Sequence, residues 1–357
     1  MALVRSCKFR RYVFSVQYDG STTLGFTYQK EQENQRNQII GADLRGVYSV
    51  EGRIRNAIGN LFSSSQDFEN FQVSSRTDRG VHALKNTFHV DLSISKQTWN
   101  PQHLVRGINF HLIRNAKNDM KRYMNEDKYH IVPESMYKIN YGDDIRITNC
   151  SFAPLDLVKN KHYYQGSDQP SHISWNARYT ATSRTYLYRI LWICQSGERE
   201  YMAEDYGSCF EVGRSWKIVS KSFDLDAMRQ AADVMMGTHD FSSFRGKGCY
   251  RSNPVTTVET IDVRCTPLLS SYFLHETHEA IGKDNNSLLV SVAIKGNAFL
   301  YRQVRNMIGC LVMVGKGKMS VHQVKECLDA KDRSKAPGMA PAHGLYLANV
   351  EHGSFLI

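Results

Sequence analysis

The chain has 357 residues, long for one compact core and comfortable for two packed halves. Its 45 lysines and arginines outnumber 35 aspartates and glutamates, and the resulting charge of +10 favours an anionic partner, most simply a polyanion such as nucleic acid. No apolar run reaches the ~18 residues of a membrane-spanning helix, so no membrane partner is expected.

Taken in chain order, the start MALVRSCKFRR carries four basic residues and no acid. That fits a mitochondrial presequence, with a plain basic tail on a cytoplasmic protein as the alternative. YVFSVQYDG reads as a strand ending in a Tyr18-Asp19-Gly20 turn, and the polar KEQENQRNQ after it as a loop. In SVEGRIRNAIGNLF, Val50, Ile54, Ala57, Ile58 and Leu61 recur at helical spacing behind Ser49, a suitable cap. FQVSS and NTFHVDLSI read as strands, and PQHLVRGINFHL as a helix with Pro101 in its first turn. The polar stretch from 115 to 172 is expected to be connection and surface insertion. It places a boundary near 150, between a half at 1–150 and a half at 151–357.

The second half repeats the order strand, helix, strand, strand, helix. In SRTYLYRILWIC, Tyr186, Tyr188, Ile190 and Trp192 share one face and Leu187, Leu191 and Ile193 the other, as in a strand covered on both sides. DLDAMRQAADVMMG is an amphipathic helix with Asp224 as cap and Gly237 as stop. THDFSSFR is a loop, while NPVTTVETIDVRC and NSLLVSVAIKGN are strands. AFLYRQVRNMIGCLVMVG is expected to be a helix throughout, with Val304, Ile308 and Leu311 buried. None of the eight cysteines forms a Cys-x-x-Cys pair, which argues against a structural zinc site and for buried, reduced thiols.

The stretch SSRTDRGVHAL, 74–84, sets one acid, Asp78, between Arg76 and Arg79, with Gly80 allowing a sharp bend. An acid in a salt-bridged turn is the ordinary reading. However, the strands on either side would hold this acid on a rigid base near the core, and a neighbouring guanidinium favours the ionised form of a carboxylate. Such an anion can attack carbon. A metal site from Asp78, His82 and His89 ranks low because their spacing converges poorly. A glycosidase would need a second carboxyl, for which Asp91 and Asp240 are unmarked candidates. Tyr186, opening its strand beside Arg184, could offer a ring for base stacking at the mouth of a cleft. Arg305 lies in an apolar helix, one turn from Arg302. If buried, it needs a carboxylate, for which Asp78 is the natural candidate.

These residues resemble the tRNA pseudouridine synthase A family. SSRTDRGVHAL is similar to its Arg-Thr-Asp-x-Gly-Val-His-Ala signature. YDG at 18–20, NARYTATSRTYLYRI at 176–190, GTHDFSSFR at 237–245, NAFLYRQVRNMIG at 297–309 and APAHGLYL at 340–347 match its blocks in order. The versions here most resemble the animal synthase-like branch. The resemblance implies an α+β fold with a mixed, mainly antiparallel central sheet flanked by helices, in two related halves. It implies conversion of uridine to pseudouridine in tRNA or other RNA, in the anticodon stem-loop region, without cofactor or metal and often as a homodimer. Asp78 matches the family's catalytic aspartate and Arg305 the arginine paired with it. Tyr186 matches the tyrosine that packs on the target base, and Arg76 the arginine associated with displacing the flipped nucleotide. A catalytically inactive RNA-binding protein of the same fold is the alternative. Arg79, where the family commonly has alanine, and the insertions at 115–145, 155–172 and 270–286 depart from the pattern.

Overall fold

The computed structural model describes residues 9–27, 49–62, 67–94, 98–125, 143–154, 158–160, 171–173, 175–194, 209–267 and 287–353. The first eight residues of the basic start, the loop KEQENQRNQ and much of the three insertions lie outside them. The chain divides into two compact units, 1–182 with 347–357, and 183–346. The boundary expected near 150 falls inside a strand, β4 (Ile145–Phe152), which pairs antiparallel with β1 (Phe9–Tyr18) and so belongs with it. The last residues return to the first unit on β12 (Leu345–Glu351).

In the first unit β1 pairs antiparallel with β3 (His82–Ser93) as well as with β4, and β2 (Phe68–Val73) pairs antiparallel with β3. Phe88 of β3 lies between Phe14 and Phe71, with ring centroids 4.9 and 4.7 Å away and planes 8° and 16° apart. Burying each such ring is worth about 1.5–3 kcal/mol, which fixes the register of the strands that carry the motif loop. The helix α1 (Val50–Leu61) starts where Ser49 accepts a hydrogen bond from Gly52 N, as its cap pattern required.

The helix α2 (Pro101–Asn125) runs well past the expected end at 112. Buried Ile108, Leu112 and Ala116 continue its apolar stripe into the polar stretch, and Asn60 Nδ2 of α1 donates to Asn115 Oδ1 (3.0 Å). Two further short strands, β5 (Val158–Asn160) and β6 (Ser171–Ile173), pair with each other inside a region read as connection.

In the second unit β7 (Ser183–Cys194) pairs antiparallel with β11 (Ser287–Gly296), β11 with β10 (Val255–Pro267), and β10 with β9 (Gly237–Asp240). The exception is β8 (Trp216–Ser220), parallel to β7. The fold is therefore α+β with mixed, mainly antiparallel strands. The helix α3 (Leu225–Met235), capped by Asp224, packs against β10, α4 (Gln303–Gly315) and α5 (Val321–Ala330). Among the described residues Cys150, Cys310 and Cys327 are buried, and burial pushes the Cys310 thiol up to about 12.

Candidate active site

The signature loop leaves β2, turns, and enters β3. Asp78 O accepts from Val81 N (3.1 Å), and Gly80, at φ +82, supplies the left-handed conformation that a type II turn demands at that position. Thr77 is the buried anchor: its hydroxyl exchanges a hydrogen bond with Tyr18 OH (2.8 Å) and its carbonyl accepts from Phe26 N (3.1 Å). Gly25 crosses so close that a Cβ there would meet Thr77 O at 2.8 Å. Asn86 of β3 donates from Nδ2 to Ser75 O (2.9 Å), and Ser74 N donates to Thr87 O (2.9 Å). Held this way, Arg76 and Arg79 are exposed and Asp78 between them is half-buried.

The Tyr18-Asp19-Gly20 turn backs this loop. Nδ1 of buried His82 is 3.1 Å from both Gly20 N and Asp19 Oδ1, so it accepts from one or donates to the other according to its proton. Burial alone would raise the Asp19 acid, but hydrogen bonds from His82 and Ser21 outweigh it and hold the carboxyl well below the usual range. Asp144 is buried beside Thr22, whose hydroxyl donates to it (2.6 Å), and takes a two-pronged contact from Arg53 (2.5 and 2.8 Å). These contacts tie the turn to α1.

Tyr186 and Arg305 belong to the second unit. Tyr186 is only 9% exposed and stands perpendicular to Phe299, with centroids 5.3 Å apart, so less of its ring emerges than the sequence suggested. The cause is that its face of β7, shared with Tyr188 and Ile190, is the buried one, while Leu187 and Arg189 on the other face are half-buried. Arg184 Nη1 donates to Asn297 O (2.9 Å), joining the same two sequence blocks.

The arginine's helix differs from expectation. α4 begins only at Gln303, because Arg302 takes a left-handed conformation (φ 61) and lays its guanidinium over Tyr301, 4.6 Å from the ring centre. Arg305 thus sits in the first turn rather than mid-helix, and Arg302 is not its helical neighbour. Arg305 is 9% exposed, and its Nε donates to Ala340 O (2.8 Å) while Ala340 N donates back to Arg305 O (3.1 Å). Tyr188 OH donates to the next carbonyl, Pro341 O (2.8 Å), and burial raises its phenol well above the ordinary value against the opposing charge of Arg305. Tyr188 is fully buried, as a core aromatic should be.

The segment at 340–341 and the side chains of Tyr18 and Asn86 were not singled out from sequence as supports. The signals were that Tyr18 opens the block at 18–20 and that 340–347 formed another. The rival carboxylates have other partners. Asp91 is held by Arg11 (2.6 and 2.7 Å) and Asn70, and these bonds keep its acid low although burial would raise it. Asp240 accepts from Ser242 N (2.9 Å). His89 Nδ1 accepts from Ala177 N (3.0 Å), and no group of three potential metal ligands occurs among the described residues.

A family model described as tRNA pseudouridine synthase matches residues 231–352. The chain is 30% identical to human tRNA pseudouridine synthase-like 1 across 89% of its own length and 88% of that protein. The chain belongs to the tRNA pseudouridine synthase family. Bacterial relatives are named tRNA pseudouridine synthase A. The tRNA pseudouridine synthase A of Caulobacter vibrioides is 29% identical over 96% of this chain and 99% of the relative, and that of Roseobacter denitrificans 26% over 95% and 94%. Unlike the family model, these matches span nearly the whole chain, so the stretch holding Asp78 lies within them.

Proposed function

We propose that this member of the tRNA pseudouridine synthase family isomerises uridine to pseudouridine in tRNA, in the anticodon stem-loop region, with Asp78 as its essential acid. The observation that carries the reading is a half-buried carboxylate on a clamped turn, in a chain related to pseudouridine synthases along most of its length. The target nucleotide must first leave its stack, at a cost of a few kcal/mol. The bond from C1′ to N1 of uracil then breaks, the ring turns, and C1′ joins C5. C5 loses a proton and N1 gains one, so the product is an isomer of the substrate and no redox partner enters. The Asp78 carboxylate attacks ribose or ring, or assists departure of the base, and all three routes need its ionised form.

Arg305 would pair with that carboxylate, Tyr186 would pack against the everted uracil, and exposed Arg76 would occupy the space the nucleotide leaves. Exposed Arg79 is suited to a backbone phosphate. Two copies gripping one tRNA, and a mitochondrial site of action, are further proposals resting on the family resemblance and the basic start. Gel filtration and cell fractionation test them. The central reading is tested by incubating the full chain with uridine-containing tRNA transcript and digesting to nucleosides. Pseudouridine is the expected product. Binding without product would support the non-catalytic alternative, and free uracil a hydrolase.

A further inference from the structure

The loop between β9 and β10 carries the sequence RGKGCYRSN, 245–253, with three cations and no acid. Its exposed aromatic is Tyr250, at 76%, flanked by exposed Lys247 and Arg251. A lone exposed aromatic needs no explanation. This one, however, stands on a loop built to hold it. Arg245 Nη2 donates to the carbonyls of Cys249 (2.7 Å) and Arg251 (2.6 Å), on either side of Tyr250. Gly246 N donates to Tyr301 O (2.7 Å), fixing the loop to the turn that precedes α4 and Arg305. Asn253 Oδ1 accepts from Val255 N (2.9 Å) and closes the loop onto β10. Arg245 is thus spent on carbonyls and Arg251 Nη2 reaches Val255 O only at 3.5 Å, and no ion pair of Lys247 or Arg251 with a carboxylate occurs among the described residues.

A ring held out on a preorganised support, with a cation on each side and no acid within 245–253, matches what an unpaired nucleotide offers: a π-face and flanking phosphates. We propose that the loop 245–251 is an RNA contact in which the Tyr250 ring stacks on an unpaired base and Lys247 and Arg251 meet the adjoining phosphates. The proposal rests on the reading of this chain as acting on tRNA, and it adds a contact outside the residues assigned to the chemistry. Stacking through Tyr250 binds substrate and transition state alike, so it acts on KM and leaves kcat nearly unchanged.

The test measures steady-state kinetics and direct binding of uridine-containing tRNA across a range of salt. Tyr250→Ala should raise KM and Kd about tenfold with kcat held within about twofold, and Tyr250→Phe should restore wild-type values. A Lys247→Ala/Arg251→Ala double variant should reduce the slope of log affinity against log salt by about 1.4, two single-strand phosphate contacts at about 0.7 each. All three side chains are exposed, so thermal unfolding should be unaltered and a binding loss is not a folding loss. Wild-type affinity and salt slope in both the alanine and the double variant, beside an active wild type, would overturn the proposal, as would a Tyr250→Ala defect confined to kcat. If wild type binds RNA but forms no pseudouridine while the variants still lose affinity, the enzymatic reading fails and the loop contact stands.

Discussion

The two units hold their candidate residues by different means. Around Asp78 polar side chains reach to the loop backbone or to its buried threonine, Asn86 to Ser75 O and Tyr18 to Thr77 Oγ1, beside the backbone bond from Phe26 N to Thr77 O. Around Arg305 the clamp is backbone, with Ala340 both accepting from the guanidinium and donating to the residue's own carbonyl. The loop should therefore be sensitive to what its neighbours' side chains are. The arginine should be sensitive to its own shape and tolerant of conservative change at 340. This contrast can be broken in graded steps.

Within this contrast the largest effect should follow Arg305→Met, with kcat down about a hundredfold, the scale on which loss of one preorganised cation or donor is felt. Arg305→Lys should not restore activity, since an ammonium cannot supply the Nε–H that meets Ala340 O together with a planar fork. Kinetics of both variants on tRNA check this, and full activity in the lysine variant would refute a role for the fork. Next comes Asn86→Ala, which removes the amide that donates to Ser75 O. It should cost about 1–3 kcal/mol of unfolding free energy, read as a lower urea midpoint, and slow turnover by about tenfold through a looser loop.

The last effect concerns pH and lies off the proposed chemistry. Burial, helped by the charge of Arg11, lowers His89 from 6.5 to about 3. As pH falls below 6.5 the unfolded chain binds this proton and the folded one does not. His89 therefore costs no stability above 6.5, and below it removes about 1.4 kcal/mol per pH unit until pH nears 3. His89→Gln should flatten that part of the curve, measured as urea midpoints at neutral and mildly acid pH. An unchanged slope would show that other groups dominate acid unfolding.

What could be read from the sequence was local. Ser49 and Asp224 announced their helices because a cap and its amphipathic run lie within a few residues of each other. The Arg-Thr-Asp-Arg-Gly turn was legible for the same reason, since Gly80 stands two places after the acid whose carbonyl closes the bend. The start of α4 was misread because Ala298, Phe299 and Leu300 continue an apolar pattern, and nothing in periodicity announces a left-handed arginine at 302. α5 was passed over although Ser320 and Gln323 form a capping box, because most of its residues are polar or exposed. The supports were invisible for a different reason: Tyr18 lies 59 residues from Thr77, and Ala340 35 from Arg305. Only the strand pairing and the fold bring such partners together.

The most direct measurement takes one preparation of Asp78→Asn and follows both tRNA binding and nucleoside composition. A carboxylate that does chemistry predicts affinity within about twofold of wild type and no pseudouridine. Pseudouridine formed at the wild-type rate by that variant would contradict the account.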